Sequence, residues 1–190
     1  MADEASLTLR EARARYFAAN GLPADGGYHE RWVRAPIGPI PFAFPNTAGR
    51  RRVTPAHDLH HVLTAYATDI RGEGELAAWE IGAGVRDRSA IQLELRVLGF
   101  ALVRWPGRMW RAFARGRRCR NLLGAPCDDA AFLARSMAAL REETGLAAPP
   151  APPTRADRLA FARWAGLAVA IVWGPLVPLA LLGWWWLGDG

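Results

Sequence analysis

The sequence predicts a mostly α-helical fold: a helical domain with a Gly/Pro-rich loop region near its N-terminus and a hydrophobic membrane helix at its C-terminus. Three observations predict it. Apolar residues recur at helical spacing through most of residues 54–145. Gly and Pro concentrate in 21–53, most densely in Ala35-Pro36-Ile37-Gly38-Pro39-Ile40-Pro41. Residues 164–187 contain no charged side chain. The boundaries that follow are 1–146 for the helical domain, 147–154 for a Pro-rich linker and 155–190 for the anchor.

Taken in order, 6–20 reads as a first helix, capped by Ser6 and stopped at Asn20-Gly21 with Pro23 beyond. The 21–53 stretch resists assignment to an element. Its Tyr28, Trp32, Phe42 and Phe44 need burial, and His29 stands isolated. Arg50-Arg51-Arg52 follows, a fork-rich run that suits a carboxylate or phosphate of a ligand as well as plain solvation.

Thr54-Pro55 is an N-cap followed by the favoured first helical residue. Leu59, Val62, Leu63, Tyr66 and Ile70 then make one apolar stripe. His57 and His61 stack one turn apart on the other side, with Asp58 flanking them. Three of the chain's four histidines lie in this stretch. Two imidazoles at this spacing are a chelating pair. Gly72 breaks the helix, and a second helix over 73–81 brings Glu73 back toward the histidines. Two nitrogens and two carboxylate oxygens suit zinc first, with manganese or ferrous iron as alternatives. His60 is either a support to the ligands or only solvated, and Glu80, two turns beyond Glu73, is a second candidate support. A solvated polar face that happens to carry histidines is the competing reading.

Residues 89–103 are strongly apolar and fit a strand or a helix by periodicity. Arg104, Arg108, Arg111, Arg115 and Arg118 follow a 4-3-4-3 spacing, with Trp105, Met109, Ala112 and Phe113 on other faces. This predicts a basic interfacial helix on anionic lipid, starting near Pro106-Gly107, or a soluble helix with Arg outward. Asp128-Asp129 opens another amphipathic helix that ends at Gly145. The linker carries four prolines. The 24 residues of 164–187 reach about 36 Å as a helix, enough for a bilayer core. Trp164 and Trp184-Trp185-Trp186 mark its ends, and Arg155, Arg158 and Arg163 keep the N-terminal side cytoplasmic. Pro175 and Pro178 argue for a kink or a re-entrant course.

Composition narrows the function classes. The net charge is +6 without a single lysine, which excludes Schiff-base and P-loop lysine chemistry. No nucleic-acid motif accompanies the charge, so lipid or an anionic small molecule is the expected partner, and no nucleic acid. Cys119 and Cys127 read as free thiols. Residues 1–15 are charged and show no signal-peptide core.

His57-Asp58-x-x-His61, eleven residues, then Glu73, with His-Asp-Leu-x-His-Val-Leu-Thr over 57–64, Gly72-Glu73 and Trp79-Glu80, resembles the signature of the coenzyme Q biosynthesis protein 4 family. The likeness is dense over 54–84 and thin elsewhere. It implies that His57, Asp58, His61 and Glu73 bind a divalent metal, usually zinc. It implies a mostly helical fold with an apolar channel for a polyprenyl tail, and it decides 89–103 for a helix. The activity implied is oxidative decarboxylation of a polyprenylated benzoate in ubiquinone biosynthesis, at the bacterial inner (cytoplasmic) membrane, facing the cytoplasm and alongside other enzymes of that synthesis. The tail has no counterpart in that resemblance. Two further classes are an HD-type phosphohydrolase using His29, His57, Asp58 and Asp87 or Asp128, and a lipid-binding scaffold without catalysis.

Overall fold

The computed structural model describes residues 6–37 and 40–178, with side chains outside 35–42. Its helices are α1 (Leu9–Ala19), α2 (Ala48–Thr64), α3 (Ile70–Gly82), α4 (Arg88–Arg104), α5 (Pro106–Gly116), α6 (Ala130–Leu133), α7 (Met137–Glu143) and α8 (Arg155–Trp173). Strands β1 (Trp32–Ile37) and β2 (Ile40–Pro45) lie between α1 and α2. The mostly helical class is therefore as expected.

Helix α3 is the centre. Leu76, Ala77, Ala78, Trp79, Glu80 and Ile81 are all buried, the pattern of a helix covered on every side. It packs against α4 and α5. Two glycines permit the α3–α5 crossing. A Cβ on Gly82 would stand 2.4 Å from the Phe113 carbonyl oxygen, and one on Gly116 would stand 2.2 Å from that of Trp79.

Several boundaries differ from expectation. Helix α1 is capped by Thr8, not Ser6, in a reciprocal pair with Glu11. The 21–53 stretch contains an antiparallel ribbon, with Trp32 opposite Pro45 and Val33 opposite Phe44. Its prolines masked it, because proline fits a strand only where no ladder donor is needed. Of the aromatics there, Tyr28 is buried, Phe44 is half-buried and Trp32 is exposed; Phe42 lies outside the described side chains.

Helix α2 begins at Thr47, whose side chain accepts from the Arg50 amide, so Pro55 lies inside the helix. The helix ends at Ala65 in a left-handed conformation (φ 61°). Tyr66 and Ile70 therefore fall outside α2, and the reversal occurs before Gly72, which sits within α3. The 89–103 stretch is helical, as the resemblance implied. The Arg stripe is divided: Arg104 closes α4, Trp105 intervenes, and Arg118 follows α5.

The expected membrane span is not present among the described residues. Helix α8 stops at Trp173, because Pro175 has no N–H with which to continue the ladder. No helix of the described residues is long and apolar enough to cross a membrane. Residues 179–187 of the expected span lie outside the described residues. Helix α8 instead packs along α4. Ala168 is fully buried, a Cβ on Gly99 would stand 2.7 Å from the Ala168 carbonyl oxygen, and the Trp173 indole donates to the Gly99 carbonyl at 3.0 Å. The 147–154 stretch forms no helix or strand.

Candidate metal centre

The site grows from the spacing of α2. Positions 60, 57, 61 and 58, in that angular order, sweep about 160° of the helix surface at 3.6 residues per turn. His60 therefore faces α3, His57 and His61 face the α2–α3 cleft, and Asp58 faces the segment after α1. Asp69 caps α3 and places Glu73 in its first turn, opposite the histidines. Glu80 lies two turns further along the same face of α3.

Glu73 reaches both imidazoles. Its Oε2 lies 3.3 Å from His57 Nε2 and its Oε1 lies 3.3 Å from His61 Nε2. His57, His61 and Glu73 together offer donor atoms within 4.8 Å of one another. His61 Nδ1 lies 3.0 Å from the Tyr66 carbonyl oxygen, which can only accept, so in the neutral ring that nitrogen holds the proton. His61 Nε2 is then a bare lone pair. It is buried, has no hydrogen-bond partner and is turned toward a carboxylate. That lone pair and the Glu73 oxygen converge on one point, which a cation, either a proton or a metal ion, can occupy. The donor set thus fits a divalent metal, and the Tyr66 carbonyl orients the ring for it.

His60 has a different task. The Leu122 amide donates to His60 Nε2 at 2.7 Å, so Nδ1 carries the proton and donates to Glu80 Oε1 at 2.6 Å. With both nitrogens engaged, His60 is no ligand; it fixes the Glu80 carboxylate. Glu80 Oε1 also lies 3.2 Å from His57 Nδ1. Glu80 is thus a direct neighbour of His57 rather than a remote support.

Asp58, expected as a ligand, joins neither of the two donor clusters found among the described residues. It is buried and accepts from the Tyr28 hydroxyl at 2.8 Å. The reason is angular: a residue next to His57 on a helix points about 100° away from it. Burial pushes its carboxyl above the ordinary range, against the pull of His57, Tyr28 and His61.

Glu94 of α4 is the residue that the motif did not indicate. It is buried and its Oε1 lies 3.6 Å from His57 Nδ1. The signal was present, as an acidic side chain inside a helix whose other buried residues are Ala90, Leu95, Leu98, Gly99 and Ala101.

The charges are tightly linked. Desolvation opposes ionisation of Glu73, but its contacts with His57 and His61 outweigh this and hold it at about 2. Burial likewise opposes charge on Glu80, and His57 and His60 pull it well below the ordinary value. Burial, and then Glu80 beside it, push Glu94 well above. Desolvation disfavours a charged His57, yet Glu80, Glu73 and Glu94 raise it well above its usual value. Tyr16 stacks on His61 with ring centroids 5.6 Å apart and covers that side.

The arginines divide in role. Arg50 is half-buried over the Phe44 ring and feels the charges of Asp58 and Glu73. Arg51 donates to the Asn46 carbonyl at 2.6 Å, and Arg52 pairs with Asp87 at 2.7 Å. Those two line a cavity of about 500 Å³ beside Pro55, Cys127 and Asp128, to which no residue of the donor cluster contributes. Arg108 pairs with Glu75, Arg115 lies over the Tyr66 ring and Arg111 is exposed. Both cysteines are free, and burial pushes the Cys127 thiol up to about 12. The phosphohydrolase set is not assembled: His29 is exposed, Asp87 caps α4 and Asp128 pairs with Arg13.

Compared with known proteins, the chain matches no family model, no curated protein and no solved structure.

Proposed function

We propose that this chain is a divalent-metal protein of ubiquinone biosynthesis that binds a polyprenylated benzoate and supports loss of its ring carboxyl group. One observation carries the metal reading: the buried, partnerless His61 Nε2 converging with His57 and Glu73. His57, His61 and Glu73 hold the ion, with zinc first and iron or manganese as alternatives. Bound there, a divalent ion supplies Lewis acidity toward a carboxylate oxygen.

The substrate class rests on the resemblance of 54–84 and on charge. Asp58, Glu73, Glu80 and Glu94 make the cluster acidic, and Arg50 is the guanidinium that feels Asp58 and Glu73. A benzoate would be repelled from this cluster until positive charge is added, so metal binding precedes substrate binding. Tyr16 and Tyr28 supply aromatic walls on the α1 side. Phe100 and Val103 of α4 and Val169 of α8 are exposed, with Leu176 and Val177 just beyond; they offer an apolar surface to the prenyl tail or to lipid.

The test uses the full chain, extracted in mild detergent and loaded with zinc or iron. Bound polyprenyl benzoate is sought by lipid mass spectrometry, and release of labelled carbon dioxide from a carboxyl-labelled precursor is followed in a membrane extract. Release that is lost in His57→Ala with the fold retained supports the reading. Binding without release in any condition would make the chain a scaffold, and retention of metal and turnover in His57→Ala would remove the site.

A further inference from the structure

His57 presents both of its ring nitrogens to carboxylates. Nε2 faces Glu73 at 3.3 Å; Nδ1 faces Glu80 at 3.2 Å and Glu94 at 3.6 Å. Each nitrogen therefore has a carboxylate oxygen within reach of whatever it carries, a proton or a metal ion. The inner face has donor atoms from His57, Glu80 and Glu94 within 4.8 Å of one another, the same closeness as the outer trio.

Two independent features mark the inner trio as built for a ligand. Glu80 is 1% exposed, and its Oε2 is buried without a hydrogen-bond partner although its Oε1 is fixed by His60. Glu94 is also buried, on a different helix. Two carboxyl groups brought together away from water need a proton or a metal ion to offset their charge. Among the described residues, the basic groups within ion-pair distance of them are His57 and His60, and His60 is committed to the Leu122 amide and Glu80 Oε1.

We propose that the cluster holds two divalent cations, an outer one on His57 Nε2, His61 and Glu73 and an inner one on His57 Nδ1, Glu80 and Glu94, with the His57 ring between them. This rests on the reading of the outer trio as a metal centre. Holding both ions makes His57 a bridging imidazolate, so the protons carried by its two nitrogens and by the Glu94 carboxyl are released to solvent. The outer set, with two nitrogens and one carboxylate, suits zinc. The inner set, with two carboxylates and one nitrogen, suits a harder ion such as manganese. His57 and Glu73 are partly exposed while Glu80 and Glu94 are not, so the inner ion enters first and the outer ion closes over it.

The experiment is metal content per chain on the full-length protein after equilibration with manganese alone or with zinc alone, together with the manganese electron paramagnetic resonance spectrum. Two ions per chain are expected, falling to one in Glu94→Gln and to one in His61→Ala, with loss of both in His57→Ala. An exchange-coupled manganese spectrum is expected for the wild type at saturation, a result that needs no variant to fold. One ion per chain in both the wild type and Glu94→Gln, or the spectrum of isolated manganese at saturation, would overturn the second position and leave the outer centre standing. No ion in the wild type would overturn both, which separates the two failures.

Discussion

His60 shows how a single residue differs from its neighbours in the same motif. His57, His60 and His61 are chemically identical, yet the Leu122 amide commits His60 to a structural bond and the Tyr66 carbonyl leaves His61 Nε2 bare. Replacing His60 by Ala strands the Leu122 donor and releases Glu80. A buried donor without a partner costs about 1–3 kcal/mol. Chemical denaturation of metal-free protein should register at least that loss. Freed from its partner, the Glu80–His57 pair should hold metal roughly 10–100-fold more weakly, as measured by competition with a chelator. Phe, which keeps the volume but not the bonds, should show the same weakening. The sequence made the His57–His61 pair legible because helical spacing alone aligns it, whereas Glu73 reaches the pair through the reversal between α2 and α3. It misplaced Asp58, since adjacency along a helix is not adjacency in space. Glu94 was hidden because its partners lie on two other helices, and no local spacing encodes that.

At the scale of elements, the reversal between α2 and α3 carries the site. Its geometry comes from Ala65 in the left-handed region and the Asp69 cap, not from Gly72. The sequence suggested a later start for α2 because Thr-Pro is a good opening pair; Thr47 serves equally well and extends the helix by two turns. Propensity did not reveal β1 and β2, because a Pro-rich ribbon lacks the β-branched alternation on which strand recognition depends. The α3–α5 crossing is held close by Gly82 and Gly116. Gly116→Val should force the helices apart and cost about 1–3 kcal/mol by overpacking. A thermal melt should show a lower midpoint, while Gly166→Val on α8, where a Cβ meets nothing within 4 Å, should change it far less.

For the whole molecule, α8 docks on α4 over the described half of a stretch whose composition points to a span. A run without charge reads as a span, but Gly99 and Ala168 let α8 close onto α4, and Pro175 ends it. Its N-terminus is fastened by Asp157, which pairs with Arg118 at 2.8 Å and Arg117 at 3.1 Å and caps with Thr154. The Arg118 contact, then the Thr154 amide, hold the Asp157 carboxyl well below the ordinary carboxylate range. A lowered folded value means that the stabilisation is complete above the unfolded value and is lost as pH falls through the folded one. Asp157→Asn should therefore melt below the wild type near neutral pH, and the two should converge under strong acid. Differential scanning calorimetry across that range checks the sign. The lipid proposal rests on exposed apolar side chains of α4 and α8, and it predicts weaker vesicle flotation for Phe100→Asp and Val103→Asp.

The central claim is that α2 and α3 converge on a metal, and zinc-dependent thermal stability tests it most directly. Ligand that binds only the folded chain at 100 times its dissociation constant adds about 2.7 kcal/mol. The melting point of the wild type should rise with added zinc and fall back on chelation, while His61→Ala, folded by circular dichroism, should lose most of the rise. A melting point indifferent to zinc, manganese and iron in the wild type, or an equal rise in His61→Ala, would contradict the account.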